Sequence, residues 1–226
     1  MALGVKMESK PSAKSQILKT ANKLFLADGY QATTLRKIAL ESGVNYGSLT
    51  FLFKNKELIV CELIGLVINC QYETVNILLS NRKSDKILHY AVETVLQLSI
   101  AESSEHLREM YNVSYSMPNS SKVVYDNVAK KLQYIFSDYL TDFEIKDFYE
   151  LEIALGGVMR SFLAIPCDMY FTFDRKITRF LETVLLICRV PDSTIKEIIS
   201  LVKTFDFDML VKATMDGLQS YIESKI

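Results

Sequence analysis

Apolar residues recur along this chain at intervals of three and four, interrupted by short polar, glycine or proline breaks, and that period predicts helix almost throughout. Ile17, Leu18, Ala21, Leu24 and Phe25 form the inner stripe of a first helix, capped by Ser12 and running to about Asp28, where Gly29 ends it. Behind Thr34, Leu35, Ile38 and Ala39 give a second and shorter stripe. Thr34 is placed to accept from the free amides of that first turn. Gly43 follows, a residue that takes the left-handed backbone needed to stop a helix sharply. Asn45 then caps a third helix, whose Leu49, Leu52 and Phe53 are assigned to the core. Two short helices joined by a tight turn containing glycine make a helix-turn-helix, a unit able to set its second helix in the DNA major groove.

Lys56 to Ser80 continues as one amphipathic helix of about 24 residues, close to 36 Å long. Further helices are predicted at about 84–102, 105–116, 121–140, 143–166, 174–189, 193–204 and 207–224. Their breaks fall at Glu102-Ser103-Ser104, Met117-Pro118-Asn119-Ser120, Pro166 and Val190-Pro191-Asp192. No segment alternates in the manner of a strand, so the fold class is all-α. With 226 residues, 49% hydrophobic and 23% charged, the chain has material for an ample core and is not disordered in character.

Charge changes the picture. Residues 1–56 hold nine Lys or Arg against Glu8, Asp28 and Glu41, a net +6; the overall charge of −1 leaves −7 on the remainder. A basic module on an acidic body suits DNA binding by one end. A dimer would bring about +12, enough for the roughly 6–10 phosphates of a specific complex. Cys61, Cys70, Cys167 and Cys188 are far apart, and with only His89 and His106 they suggest no metal set, so no cofactor is expected. Leu58 to Cys70, the longest apolar run, is broken by Glu62 and Asn69 and is too short to span a bilayer. A cytoplasmic protein with reduced thiols and no membrane partner is expected.

The stretch Thr33 to Lys56, with Ile17-Leu18, Ala21, Leu24-Phe25, Gly29-Tyr30 and Lys56-Glu57-Leu58, resembles the N-terminal domain of the TetR family of transcriptional regulators. The likeness covers about Ser15 to Leu63, roughly a fifth of the chain. It implies a three-helix DNA-binding head (1–56) joined by the long helix to a helical ligand-binding and dimerisation body (57–226). By this resemblance Thr34, with Arg36 and Lys37, approaches phosphates. Asn45, Tyr46, Gly47 and Ser48 lie against base edges, and Thr50, Lys54 and Lys56 complete the DNA-binding set. Gly47 allows close backbone approach, and Asn45 can pair with adenine. The chain departs from its family at Thr50, Phe51 and Leu52, where tyrosine or histidine usually bonds phosphate, and at Lys54, where proline is common.

The resemblance implies a homodimeric repressor on a palindromic double-stranded DNA operator, released by a small-molecule effector. The alternative is a ligand- or protein-binding helical module of the same fold that has weakened or lost its DNA affinity. No nucleophile–base pattern or phosphate loop points to an enzyme. The abundant aromatic and methionine residues favour an apolar or aromatic ligand, with Tyr72, His89, Met110, Tyr111, Tyr115, Phe136, Met159 and Arg160 as candidate contacts. By family analogy the helices at 143–166 and 207–224 form the dimer bundle, with Ala154, Gly156 and Gly157 permitting close approach.

Overall fold

The computed structural model describes residues 12–82, 85–116 and 128–225, and among these the regular structure is helical, with no strand. The helices are α1 (Ala13–Asp28), α2 (Leu35–Ser42), α3 (Tyr46–Leu52), α4 (Lys56–Leu78), α5 (Lys86–Ser103) and α6 (Glu105–Ser116). Helical residues 128–136 form α7. The chain continues through α8 (Ile145–Ala164), α9 (Phe173–Ile187), α10 (Asp192–Val202) and α11 (Phe207–Lys225). The break at 117–120 and the start of the helix expected from 121 lie outside the described residues.

Each of the first four helices starts on a side chain that takes up an orphan amide. Ser12, Thr34, Asn45 and Asn55 accept from the backbone N–H three residues on, at 3.1, 3.2, 2.8 and 3.0 Å. Such caps each stabilise a helix by about 1 kcal/mol, which matters most for α2 and α3, with eight and seven residues. Gly43 closes α2 in the left-handed region at φ 68°. Ile17, Phe25, Ile38 and Leu49 are fully buried and join α1–α3 into one small core. Leu52, assigned above to the core, is instead 41% exposed. The chain turns extended at Phe53, and it is Phe53, one helical turn from Leu49, that enters the core at 3% exposure.

α4 is the central support. It packs against α11, α6, α5 and α1 and buries Ile59, Val60, Leu63, Ile64, Val67 and Val75. By length and composition alone it is long and apolar enough to cross a membrane, with a mean hydropathy of 1.5 over its most apolar window. Its packing within the bundle accounts for that composition. α5 is buried on nearly all sides, from Ile87 to Ala101. α6 packs on α1 at one end and also on α4, α5 and α8, so it bridges the first helices and the rest.

One buried charge ties three parts together. Lys176 on α9 is fully buried and donates to the Glu102 carboxylate of α5 and to the Ile165 carbonyl. Glu102 also accepts from the Cys167 N–H at 3.1 Å. Burial pushes the Glu102 carboxyl up, but the bonds from Lys176 and Cys167 outweigh it and hold the group below its usual range.

Within the chain α8 packs on α6, α9 and α5, and α11 packs on α4, α5 and α1. Gly156 is buried, while Ala154 and Gly157 are exposed.

Gly29 shows how closely the first helices meet α6. At φ 83° and ψ 164° it holds a conformation essentially confined to glycine, and an added Cβ would meet the His106 ring at 3.2 Å and Glu109 at 3.3 Å. Gly29→Ala is therefore expected to cost about 1–3 kcal/mol, read from the urea midpoint. An unchanged midpoint would contradict this packing.

Candidate nucleic-acid interface and ligand cavity

The outer surface of α2 and α3 carries the sequence-predicted DNA contacts in very different states. Arg36 and Lys54 are exposed and enter no ion pair among the described residues. Tyr46 is 48% exposed, and Gly47 and Asn45 lie open beside it, with Ser48 half-buried. Asn45, Tyr46, Gly47 and Ser48 form an accessible surface at the start of α3, with Arg36 exposed on α2 and Lys54 just past the end of α3. Four others are already engaged. Thr34 caps α2, and Lys37 is paired with Asp28 at 2.8 Å, an exposed pair that DNA phosphate can compete with. Thr50 directs its hydroxyl back onto its own helix, toward the carbonyls of Tyr46 and Gly47, both at 3.1 Å.

Lys56 departs most from expectation. Its ammonium donates to the carbonyls of Tyr30 and Thr33 and sits 3.8 Å from the centre of the Tyr30 ring. Burial lowers its pKa, while Glu57 and Glu109 pull the other way. Tyr30 in turn donates its hydroxyl to Glu57 at 2.7 Å and its backbone N–H to Glu109 at 2.8 Å. In this arrangement Lys56 holds the α1–α2 turn to α4 instead of facing solvent. The Asn45 carbonyl oxygen is likewise a cap, accepting from Ser48 N–H, which leaves the amide N–H₂ and one lone pair for a base. Leu40, at 83% exposure, and Phe51, at 87%, add apolar surface to this face.

The body contains two adjoining cavities. The outer one, of about 740 Å³, is bordered by Tyr72, Lys86, His89 and Tyr134. The inner one, of about 380 Å³, is bordered by Gln97, Tyr115, Glu152, Leu155, Met159 and Phe180. Tyr90, Glu93, Lys131 and Ile135 border both. Lys131 donates to both oxygens of Glu93, at 2.6 and 2.7 Å, so an ion pair stands in the shared wall. Gln97 donates to the Tyr115 hydroxyl at 2.7 Å. Glu152 is 8% exposed, and burial pushes its carboxyl up to about 8, against a smaller lowering by Lys131. His89 Nε2 is buried without a hydrogen-bond partner.

Tyr72, His89, Tyr115 and Met159, anticipated as ligand contacts, do border these cavities. Met110, Tyr111 and Phe136 are core residues, at 1%, 0% and 0% exposure, and border neither. Arg160 is exposed on α8 and away from both cavities. Sequence reasoning missed Glu152 and Gln97. A signal existed in each case, a polar residue within an otherwise apolar helical stripe.

A capped helix-turn-helix with an exposed second helix, on a basic segment, is the architecture of a DNA-binding head. Residues 17–63 match the profile of the bacterial regulatory proteins, tetR family, and this part of the chain is a TetR-family N-terminal helix-turn-helix domain within an all-α fold. A comparison with curated proteins finds no match to the chain.

Glu152 gives the cavity a pH signature. The folded protein keeps a proton on this carboxyl that the unfolded chain releases near pH 4.5, so its contribution to stability falls as pH rises from about 4.5 to about 8 and then levels. Glu152→Gln removes that titration. The variant is expected to gain on the wild type across the same window, by on the order of a few kcal/mol at pH 8.5, in urea unfolding at pH 5, 7 and 8.5. Parallel pH profiles for the two proteins would refute this.

Proposed function

We propose that this protein is a ligand-responsive transcriptional repressor that binds a palindromic double-stranded DNA operator as a homodimer. The observation that carries the reading is the accessible face of α3, where Asn45, Tyr46, Gly47 and Ser48 surround the start of a capped helix flanked by Arg36 and Lys54. Side chains there suit base edges, and the flanking cations suit phosphates. The first 56 residues form the DNA-reading head and residues 57–226 the effector and dimerisation body. A two-fold pair of such heads reads half-sites about 34–36 Å apart. Self-association would use α8 and α11, with Ile153, Ala154 and Gly157 exposed on α8 and Met209 on α11.

The effector reading rests on α6. This helix borders the inner cavity through Tyr115 and reaches the α1–α2 turn through Glu109, six residues and about 9 Å away along the axis. His106 adds a second tie, its Nδ1 2.8 Å from the Leu26 carbonyl. A ligand that displaces Tyr115 therefore moves the helix on which the head rests. The coupling required is about 1–3 kcal/mol between DNA-competent and DNA-released states.

A second reading, a helical binding module with weakened DNA affinity, is favoured by one observation. Thr50 has its hydroxyl turned inward, and Phe51 and Leu52 present apolar surface where hydrogen-bond donors would serve phosphate. Fluorescence anisotropy against DNA from the protein's own upstream region, at two salt concentrations, separates the two. Saturable binding to a palindromic segment that weakens steeply with salt supports the repressor. No binding at low salt supports the module.

Gly47 offers a sharper test. A Cβ there would meet nothing closer than Asn45 Oδ1 at 3.4 Å, so the isolated fold tolerates alanine. Gly47→Ala is expected to leave stability equal or raise it by up to about 1 kcal/mol, as alanine favours helix. DNA affinity should fall at least about tenfold, because the helix backbone can no longer approach the bases. Unchanged affinity would remove this glycine from the interface.

A further inference from the structure

We infer that the inner cavity is a site for a hydrophobic organic monocation, with its charge against Glu152 and its apolar part against Leu155, Met159 and Phe180. This rests on reading the cavity as the effector site, and it adds the chemical class of effector.

Glu152 carries the inference. Its side chain is more than nine-tenths buried, borders the cavity, and accepts no hydrogen bond among the described residues. The neighbouring cation, Lys131, already has both oxygens of Glu93 for a partner. When Glu152 ionises, the three groups therefore hold one negative charge in excess. A buried charge is costly unless paired; among the described residues Lys131 offsets only a small part of that cost, and no other side chain supplies the pair. An entering cation would. A neutral ligand leaves the ionised carboxylate uncompensated, and an anion adds repulsion.

The rest of the wall agrees with that assignment. Tyr90, Tyr115 and Phe180 supply aromatic rings, whose faces attract organic cations. The Tyr115 hydroxyl is already bonded to Gln97, which leaves the ring as its contribution. Around 380 Å³ lies at the small end of ligand pockets, so the ligand is compact. The outer cavity opens onto the same shared wall, and the Lys131–Glu93 pair there is the natural gate. A cation moving inward replaces the Lys131 ammonium beside the carboxylates as it passes.

Proton linkage follows from burial. At neutral pH the Glu152 carboxyl is mostly protonated, since burial pushes it up to about 8, and a cation would bind by driving its proton off. The groups around it are Glu93 and Tyr90 from α5, Lys131 from α7 and Tyr115 from α6, with Cys188 after α9 beyond Tyr90. Burial pushes the Tyr90 hydroxyl well above its usual range and the Cys188 thiol up to about 12, so neither ionises between pH 6 and 9. α4 presents Gly65, Ile68 and Asn69, none of which titrates. The difference between wild type and Glu152→Gln isolates the remaining carboxyl.

The test is calorimetric titration of the full chain with three soluble probes: benzyltrimethylammonium, 2-phenylacetamide and phenylacetate. At pH 8.5 the cation should bind at least about tenfold more tightly than the amide, with phenylacetate weakest. Its affinity should rise about tenfold per pH unit from pH 6 to near 8 and level above that. At pH 6.5 the heats in buffers of different ionisation enthalpy should show close to one proton released per cation bound. In Glu152→Gln the preference for the cation and the proton release should both vanish, while the retained thermal unfolding transition shows the variant folded.

Equal or tighter binding of the amide or phenylacetate overturns the inference. So does cation binding that is indifferent to Glu152→Gln, or no cation binding up to millimolar concentration. DNA anisotropy read with the same probes separates this inference from the effector reading. A Glu152-dependent cation that leaves DNA affinity unchanged sustains the inference and removes the effector role. An amide that binds and shifts DNA affinity while the cation does neither sustains the effector role and removes the inference.

Discussion

The Lys56 ammonium beneath Tyr30 fixes where the DNA-reading helices sit. It satisfies the carbonyls of Tyr30 and Thr33, lies against the tyrosine ring, and starts the long helix that supports the body. Tyr30 then completes the tie by donating to Glu57 and Glu109. A lysine half-withdrawn from water loses solvation, and the loss is offset here by two carbonyls, a ring face and two nearby carboxylates. Every element of the proposed DNA response meets at this point: the turn before α2, the start of α4, and the end of α6.

That arrangement gives the charge asymmetry a mechanical meaning. Six net positive charges on the first 56 residues draw that end toward phosphate, and the acidic remainder stays out of the way. Lys56 contributes to this field with two of its three N–H donors held by backbone carbonyls. In the proposed complex, orientation would fall to exposed Arg36 and Lys54 and to the face of α3. α6 connects this apparatus to the inner cavity through one helix, with His106 near its start, Glu109 near its middle and Tyr115 near its end.

The caps and stripes of α1–α3 were legible in the sequence because they are local. Ser12, Thr34 and Asn45 each bond an amide three residues on, and Gly43 takes the turn its type permits. What failed to show was set by distant partners. Leu52 fits the apolar period, yet the chain's extended turn at Phe53 decides which of the two is buried. Lys56 looks like any basic residue at a helix start until Tyr30, twenty-six positions earlier, folds over it. Met110, Tyr111 and Phe136 have the composition of pocket walls, but packing made them core, and no periodicity distinguishes the two. Glu152 left a trace, an acid within the apolar stripe of α8, but its weight comes from burial beside an already matched ion pair, which no local pattern shows.

The central claim is that the Tyr30 clasp holds the head to the body as one unit. The most direct test is native-state hydrogen exchange at the Tyr30 amide, whose proton is bonded across the interface to Glu109 and lies in a turn outside any helix ladder. If the clasp holds, this amide exchanges as slowly as the buried α1 amides, with an opening free energy close to that of global unfolding. Exchange near the rate of an unstructured peptide, with α1 still protected, would show that the clasp opens freely and that the head is not held by it.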